Sequence, residues 1–166
     1  MTDSKTAVDA STPPGPPRIT ARIAGRSLYL LPRPYALGYF LATLACDLLY
    51  FSTQSGVDRS EAVVEFGLIT QWLLAAGLLM AVLSNIAAYL DFCGERRFRE
   101  TADLGLYAGG NLLVIALALY NFSLRLADGG DVIMETGLIL SVSTVVVWFC
   151  IPSRDWNRLY RWSGFR

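Results

Sequence analysis

The residues that could do chemistry in this chain are polar side chains set inside long apolar stretches. Asp47 lies inside one stretch, and Arg125 lies near the end of another at a matching depth. A carboxylate in hydrocarbon needs a cation or hydrogen-bond donors, or it takes up a proton. The sequence therefore predicts an intramembrane polar cluster, in which Asp47 pairs with Arg125 or accepts hydrogen bonds from the two amides. Its members are Asp47, Gln71, Asn121 and Arg125.

A second group of polar residues lies nearer the opposite ends of these stretches. Asn85 and Asn111 are each six or seven residues from those ends. Two amides at equal depth can hydrogen bond across helices, which stabilises the pair by about 0.5–2 kcal/mol. We therefore expect an inner polar pair of Asn85 and Asn111.

The elements that must position these groups are four apolar stretches of helix length. The central one covers residues 104–126, about 23 residues, enough for a helix to cross a hydrocarbon core of about 30 Å. One arc of about 80° holds Tyr107, Asn111, Ala118, Asn121 and Arg125, and this polar stripe must face protein or water rather than lipid. The other stretches cover residues 35–53, 66–90 and 132–151. The sequence predicts an all-α fold, an integral membrane four-helix bundle.

The sequence of the first stretch does not decide which face of its helix packs inside the bundle. Gly38, Ala42 and Ala45 form a stripe of small residues of the kind that lets membrane helices approach closely. Asp47 lies roughly on the opposite side of the same helix. Either face can therefore be the one that packs in the bundle.

The chain divides into four regions. Residues 1–17 are predicted to be a disordered leader, 18–33 a basic interfacial arm, 34–152 the four-span transmembrane domain, and 153–166 a basic aromatic cytoplasmic tail. The arm is either a short amphipathic basic helix on anionic lipids or an irregular segment that supplies positive charge. The tail either anchors at headgroup depth or docks onto a partner. The predicted interfacial residues are Asp91, Arg96, Arg97, Trp156, Tyr160 and Trp162.

Composition and charge distribution agree with a membrane protein of one orientation. Hydrophobic residues make up 54% of the chain, charged residues 17%, and the mean hydropathy is +0.42. The predicted topology places 12 of the 14 Lys and Arg on the side that holds both termini. Because basic residues are retained in the cytoplasm, both termini are expected there in a multi-pass protein.

Several functional classes are not supported by the sequence. Histidine is absent, and Cys46, Cys93 and Cys150 have no metal-ligand spacing, so neither a cofactor nor a metal is expected. We find no nucleophile beside a base and no phosphate-binding loop, and we therefore expect a protein that is not an enzyme. The basic segments flank apolar spans, which favours lipid over nucleic acid as their partner.

The order of these residues resembles a bacterial family, domain of unknown function 2231, of small four-helix inner-membrane proteins. The most specific part is the N-x9-N-x3-R pattern of Asn111, Asn121 and Arg125, together with Asp47 late in the first span. The resemblance covers about residues 31–151. It implies a histidine followed by proline before the first span and a second histidine one turn before the first Asn. Here those places read Leu31-Pro32-Arg33-Pro34 and Tyr107, so the family's histidines are absent.

Three functional hypotheses follow. The first is a non-enzymatic accessory or scaffolding component of a membrane complex, with a membrane protein partner or a homo-oligomer. The second is a small proton-coupled transporter that uses Asp47. The third, implied by the resemblance because some relatives are fused to Rieske iron-sulfur domains, is a membrane redox-associated subunit without its own haem ligands. In each case the chain contacts the lipid bilayer and its anionic lipids.

Overall fold

The fold consists of four helices in sequence. The computed structural model describes residues 22–23, 26–53, 61–94, 104–127 and 135–151. The helices are α1 (Pro32–Thr53), α2 (Glu61–Gly94), α3 (Leu104–Ala127) and α4 (Glu135–Cys150). The predicted all-α membrane bundle is confirmed. The leader and the aromatic tail lie outside the described residues, and their assignments stay predictions.

A short strand pair precedes the helices. Strand β1 (Arg22–Ile23) pairs antiparallel with β2 (Arg26–Ser27), with Arg22 opposite Ser27. The helical interpretation of the basic arm is therefore wrong over these residues. Gly25 in the intervening sequence has a low helix propensity, which disfavours a continuous helix there.

The helices differ in length. Among the described residues, three helices are long and apolar enough to cross a membrane: Pro32–Ser52, Phe66–Gly94 and Leu106–Ala127. Helix α4 has 16 residues and falls below that length. The predicted fourth span covers residues 132–151, of which residues 132–134 lie outside the described residues.

The helices run up, down, up and down, and each packs against two neighbours around the bundle. The direction follows from the contacts. Ser84, in the last third of α2, donates to the carbonyl of Tyr29 just before α1. Arg33 at the start of α1 donates to Tyr107 near the start of α3. Gly110 of α3 lies against Ile151, next to the end of α4. The start of α1, the end of α2, the start of α3 and the end of α4 therefore share one end of the bundle.

The interior of the bundle is more polar than its exterior. Thr43, Thr70 and Thr144 are buried, each with at most 2% of its surface exposed. Large apolar side chains point outward instead, among them Trp72, which is 75% exposed, and Leu112. An apolar exterior around a polar interior is expected of helices surrounded by lipid, since lipid offers polar groups no hydrogen-bond partner.

The inward face of α1 is the one that carries Asp47. Ala36, Phe40 and Thr43 are buried with it, while Gly38 and Ala45 are exposed. A Cβ at Gly38 would meet nothing within 4 Å, whereas one at Gly77 would lie 2.9 Å from the Phe40 ring. The small residues that permit close packing of α1 and α2 therefore lie on α2, opposite a large ring.

Candidate functional site

The first site is a carboxylate cluster that joins α1, α3 and α4. It consists of Asp47, Asn121, Arg125 and Ser141. Oδ2 of Asp47 accepts hydrogen bonds from Nη2 of Arg125 at 2.7 Å and from Oγ of Ser141 at 2.6 Å. Asp47 is 0% exposed and Arg125 4% exposed, so this is a buried ion pair.

Asn121 closes the cluster into a ring. Its Oδ1 accepts from Nε of Arg125 at 3.0 Å, and its Nδ2 donates to Oγ of Ser141 at 2.9 Å and to the Gly137 carbonyl at 3.2 Å. Asn121 and Arg125 lie one turn apart on α3, so both reach the same region. A charged pair is thereby held in one geometry by a neutral amide on α3 and a neutral hydroxyl on α4.

Two atoms of the ion pair have no hydrogen-bond partner among the described residues. They are Oδ1 of Asp47 and Nη1 of Arg125, and both are buried. A buried polar atom without a partner costs about 1–3 kcal/mol, and more when it is charged. The ion pair therefore keeps one unpartnered acceptor on Asp47 and one unpartnered donor group on Arg125 within the described part of the bundle.

The observed cluster lacks one predicted member, Gln71, and contains one residue that was not predicted, Ser141. The structure brings together Asp47, Asn121 and Arg125, but Gln71 is partly exposed and makes no hydrogen bond with them. Thr70, its neighbour on α2, faces inward instead and donates to the Phe66 carbonyl. Sequence reasoning missed Ser141, because a serine in an apolar helix is common and carries no charge signal.

The predicted inner polar pair does not form. Nδ2 of Asn85 donates to the Ala81 carbonyl and Nδ2 of Asn111 to the Tyr107 carbonyl, each at 2.9 Å. Both amides thus bond the backbone of their own helices four residues earlier. A side chain that finds a carbonyl within its own helix needs no partner across the bundle.

The second site is an aromatic cluster at the shared end of the bundle. It consists of Tyr29, Arg33, Tyr107 and Trp148. The Cζ atom of Arg33 lies 5.3 Å from the ring centroids of Tyr29 and Tyr107 and 5.2 Å from that of Trp148. These are cation–π distances, at which the negative ring faces stabilise the guanidinium.

Hydrogen bonds fix the same cluster. Nη1 of Arg33 donates to both phenol oxygens, and the two phenols also bond each other. Oγ of Ser84 donates to the Tyr29 carbonyl at 3.2 Å, which ties the segment before α1 to α2. Burial, and then the neighbouring Tyr107, raise the pKa of the Tyr29 hydroxyl above its ordinary value, while Arg33 opposes them.

The aromatic cluster was not predicted as a site. Arg33 counted as one basic residue of the arm, and Tyr107 as part of the polar stripe on the third span. A usable signal was depth: Arg33 lies at the start of α1 and Tyr107 near the start of α3, and two helices that run in the same direction have their starts at the same end of the bundle. Trp148 near the end of α4 completes that layer.

The predicted interfacial residues have different outcomes. Asp91 is 0% exposed and lies at the end of α2, and its predicted place at the membrane interface stays a prediction. Its helix extends to Gly94, which leaves Asp91 inside the last turn rather than in the loop. The other predicted interfacial residues, Arg96, Arg97, Trp156, Tyr160 and Trp162, lie outside the described residues.

The fold and the two clusters define a small helical membrane protein with a polar interior. The chain belongs to a family described as predicted membrane protein (DUF2231), whose model matches residues 34–151. No curated protein and no solved structure matches the chain.

The family resemblance raised the question of haem, and the aromatic cluster answers it for these positions. Tyr107, at one place where the resemblance implies a histidine, accepts a hydrogen bond from Arg33, which belongs to the segment 31–34 where the other is implied. A guanidinium carries N–H donors and no free nitrogen lone pair with which to ligate iron. The groups present therefore do not fit a histidine-ligated haem.

Proposed function

We propose that this chain is a non-enzymatic integral membrane protein that acts as an accessory or scaffolding component of a membrane complex. The observation that carries the proposal is the closed carboxylate cluster, in which one ion pair, one amide and one hydroxyl fix three helices to one another. Buried polar groups that hydrogen bond each other hold a single arrangement of helices. Such a bundle suits a component that presents a constant surface.

The exterior is compatible with this role. Aromatic and aliphatic side chains cover it, and Trp72, Leu112 and Phe149 are each more than half exposed. A lipid-facing surface of this kind can accept another membrane helix by close packing. The partner we propose is therefore a second membrane protein or another copy of this chain.

We further propose a bacterial inner membrane and a topology with both termini in the cytoplasm. The support is the distribution of charge along the sequence, in which 12 of the 14 Lys and Arg fall within residues 1–33, 95–103 and 152–166. A reporter fused after Arg166 should be active on the cytoplasmic side. Activity on the opposite side would overturn this topology.

Native mass spectrometry tests the accessory role. The protein, extracted from its own membrane in mild detergent, should carry a second protein in a fixed ratio. An unrelated four-span protein tagged and extracted in the same way is the control for adventitious capture. A lone protomer in both preparations would contradict the accessory role.

The unpaired atoms of the ion pair favour a second candidate function, a proton-coupled carrier. Oδ1 of Asp47 is buried and lacks a partner among the described residues, so it is the atom that could take up a proton. Proton flux in proteoliposomes should then be lost in Asp47→Asn and kept in Ser123→Ala, whose hydroxyl bonds the Tyr120 carbonyl on the exposed side of α3. Equal flux in the two variants would exclude this carrier.

A further inference from the structure

A groove with a volume of about 480 Å³ lies between α2 and α3. Its lining is almost entirely apolar and includes Ile86 and Tyr89 of α2 and Ala108 and Leu112 of α3. All four of these residues are exposed on the outside of the bundle. The groove therefore opens sideways, toward the region that lipid occupies.

Polar groups in the groove are few. Asn85 lines it, but its amide donates to the Ala81 carbonyl. The volume of the groove is in the range of pockets that hold a small molecule, and it is too small to hold a whole helix. An apolar, elongated occupant fits this lining better than a polar one.

Tyr107 connects the groove to the aromatic cluster. Its ring lines the groove, and its hydroxyl accepts a hydrogen bond from Nη1 of Arg33. Arg33 is partly exposed, and in the described part of the chain it forms no ion pair with a carboxylate. Its Nε and Nη2 groups donate to none of the described residues. A cation with two nitrogen groups that bond no described residue is thus separated from the apolar groove by one tyrosine side chain.

We propose that the groove and Arg33 together bind one anionic phospholipid. The acyl chain lies in the groove between α2 and α3, and the phosphate accepts hydrogen bonds from Nε and Nη2 of Arg33. Guanidinium and phosphate match in charge and in the geometry of paired hydrogen bonds. The site lies at the end of the bundle that adjoins the basic sequence segments 1–33 and 95–103, and anionic lipids are enriched in the leaflet that faces such segments. This inference does not depend on the accessory role.

Lipid titration of the delipidated protein in neutral detergent, followed by native mass spectrometry, tests the proposal. The probes are phosphatidylglycerol, which is anionic, and phosphatidylcholine, which is zwitterionic. The anionic lipid should bind about tenfold more tightly, the effect expected of one charge-assisted interaction. Equal binding of the two lipids by the unchanged protein would overturn the proposal.

Two kinds of variant separate the headgroup from the chain. Arg33→Gln should remove the preference for the anionic lipid, and Arg33→Lys should retain part of it because the charge remains. Ala108→Phe should fill the groove and weaken binding of both lipids. Ala116→Phe places the same side chain on an exposed position of α3 outside the groove and should leave binding unchanged.

Two further results would contradict the proposed lipid site. If Ala108→Phe and Ala116→Phe bind lipid alike, the groove does not hold the chain. If inorganic phosphate displaces phosphatidylglycerol completely at equal concentration, the acyl chain contributes nothing and the proposal is wrong. Thermal unfolding of each variant shows whether the bundle remains folded, and Ala108→Phe leaves the bonds of Arg33 in place for the case in which Arg33→Gln does not fold.

Discussion

The two clusters of this bundle each centre on an arginine, but they treat its charge differently. Arg125 is 4% exposed and pairs with the carboxylate of Asp47 at 2.7 Å. Arg33 is partly exposed, and its described contacts are phenol oxygens and aromatic rings. Fourteen residues separate Arg33 from Asp47 on α1, a rise of about 21 Å. The clusters therefore lie at opposite ends of the bundle.

The difference follows from what surrounds each charge. A guanidinium that is fully removed from water needs an opposite charge, since the cost of burying it alone is too large. A guanidinium near the end of the helices keeps part of its hydration, so ring faces and hydroxyls suffice. The buried Arg125 binds Asp47 and so holds helices together, whereas the partly exposed Arg33 has the donors that our proposed lipid site uses.

Breaking the buried ion pair should have the largest effect on stability. Arg125→Gln leaves the Asp47 carboxylate buried with Ser141 as its donor and should lower the free energy of unfolding by about 3–5 kcal/mol. Asp47→Asn should cost a similar amount, because it leaves the cation unpaired. Unfolding in mixed micelles with rising denaturing detergent measures both changes.

The double variant shows whether the two side chains are coupled. Asp47→Asn with Arg125→Gln should cost clearly less than the sum of the single changes, because no charge remains buried. Ser123→Ala, two residues from Arg125 on the exposed side of α3, is the control and should be nearly neutral. Additive losses would show that the ion pair contributes no interaction energy.

Adjacent glycines on α3 test the packing that supports the aromatic cluster. A Cβ at Gly110 would lie 2.7 Å from Cγ1 of Ile151, whereas one at Gly109 would meet nothing within 4 Å. Gly110→Ala should therefore destabilise the bundle by about 1–3 kcal/mol through overpacking. Gly109→Ala should be neutral or stabilise it by up to about 1 kcal/mol, through its better helix propensity. The same unfolding measurement would refute this packing if the two variants behaved alike.

Removing the partly exposed arginine should cost less than removing the buried one. Arg33→Gln loses three ring contacts and the donor to two phenols, for which we expect a loss of about 1–2 kcal/mol in the same assay. Arg33→Lys is the matched control and should retain part of the stabilisation, because its charge stays above the rings. A loss as large as that of Arg125→Gln would erase the contrast between the clusters.

Much of the fold could be predicted from the sequence because lipid imposes simple rules. Apolar length predicted the helices, and the polar arc on α3 predicted an inward face, where Tyr107, Asn121 and Arg125 are indeed buried. Depth counting also placed Asp47 near Arg125. Each of these features depends only on how far along its own helix a residue lies, which the sequence gives directly.

The sequence did not predict features that depend on how each helix is rotated about its own axis, because that rotation decides which residues face inward. Gln71 has the expected depth on α2, but Thr70 takes the inward position one residue earlier. Asn85 and Asn111 also share a depth, yet backbone carbonyls of their own helices accept their hydrogen bonds. The face of α1 was undecided because small residues and Asp47 compete for the interior, and the buried carboxylate requires the greater compensation.

The smallest expected effect concerns the Tyr29 hydroxyl and appears only at alkaline pH. Burial raises its pKa, so the folded bundle keeps the proton where the unfolded chain loses it near pH 10. The unfolded state then binds fewer protons, and the free energy of unfolding should fall above about pH 10, by at most about 1.4 kcal/mol per pH unit. Tyr29→Phe should have a flatter pH profile, while Tyr35→Phe, at a position 59% exposed, should follow the unchanged protein. Parallel profiles for all three would mean that the Tyr29 phenol titrates alike in both states, and that the aromatic cluster does not exclude water from it.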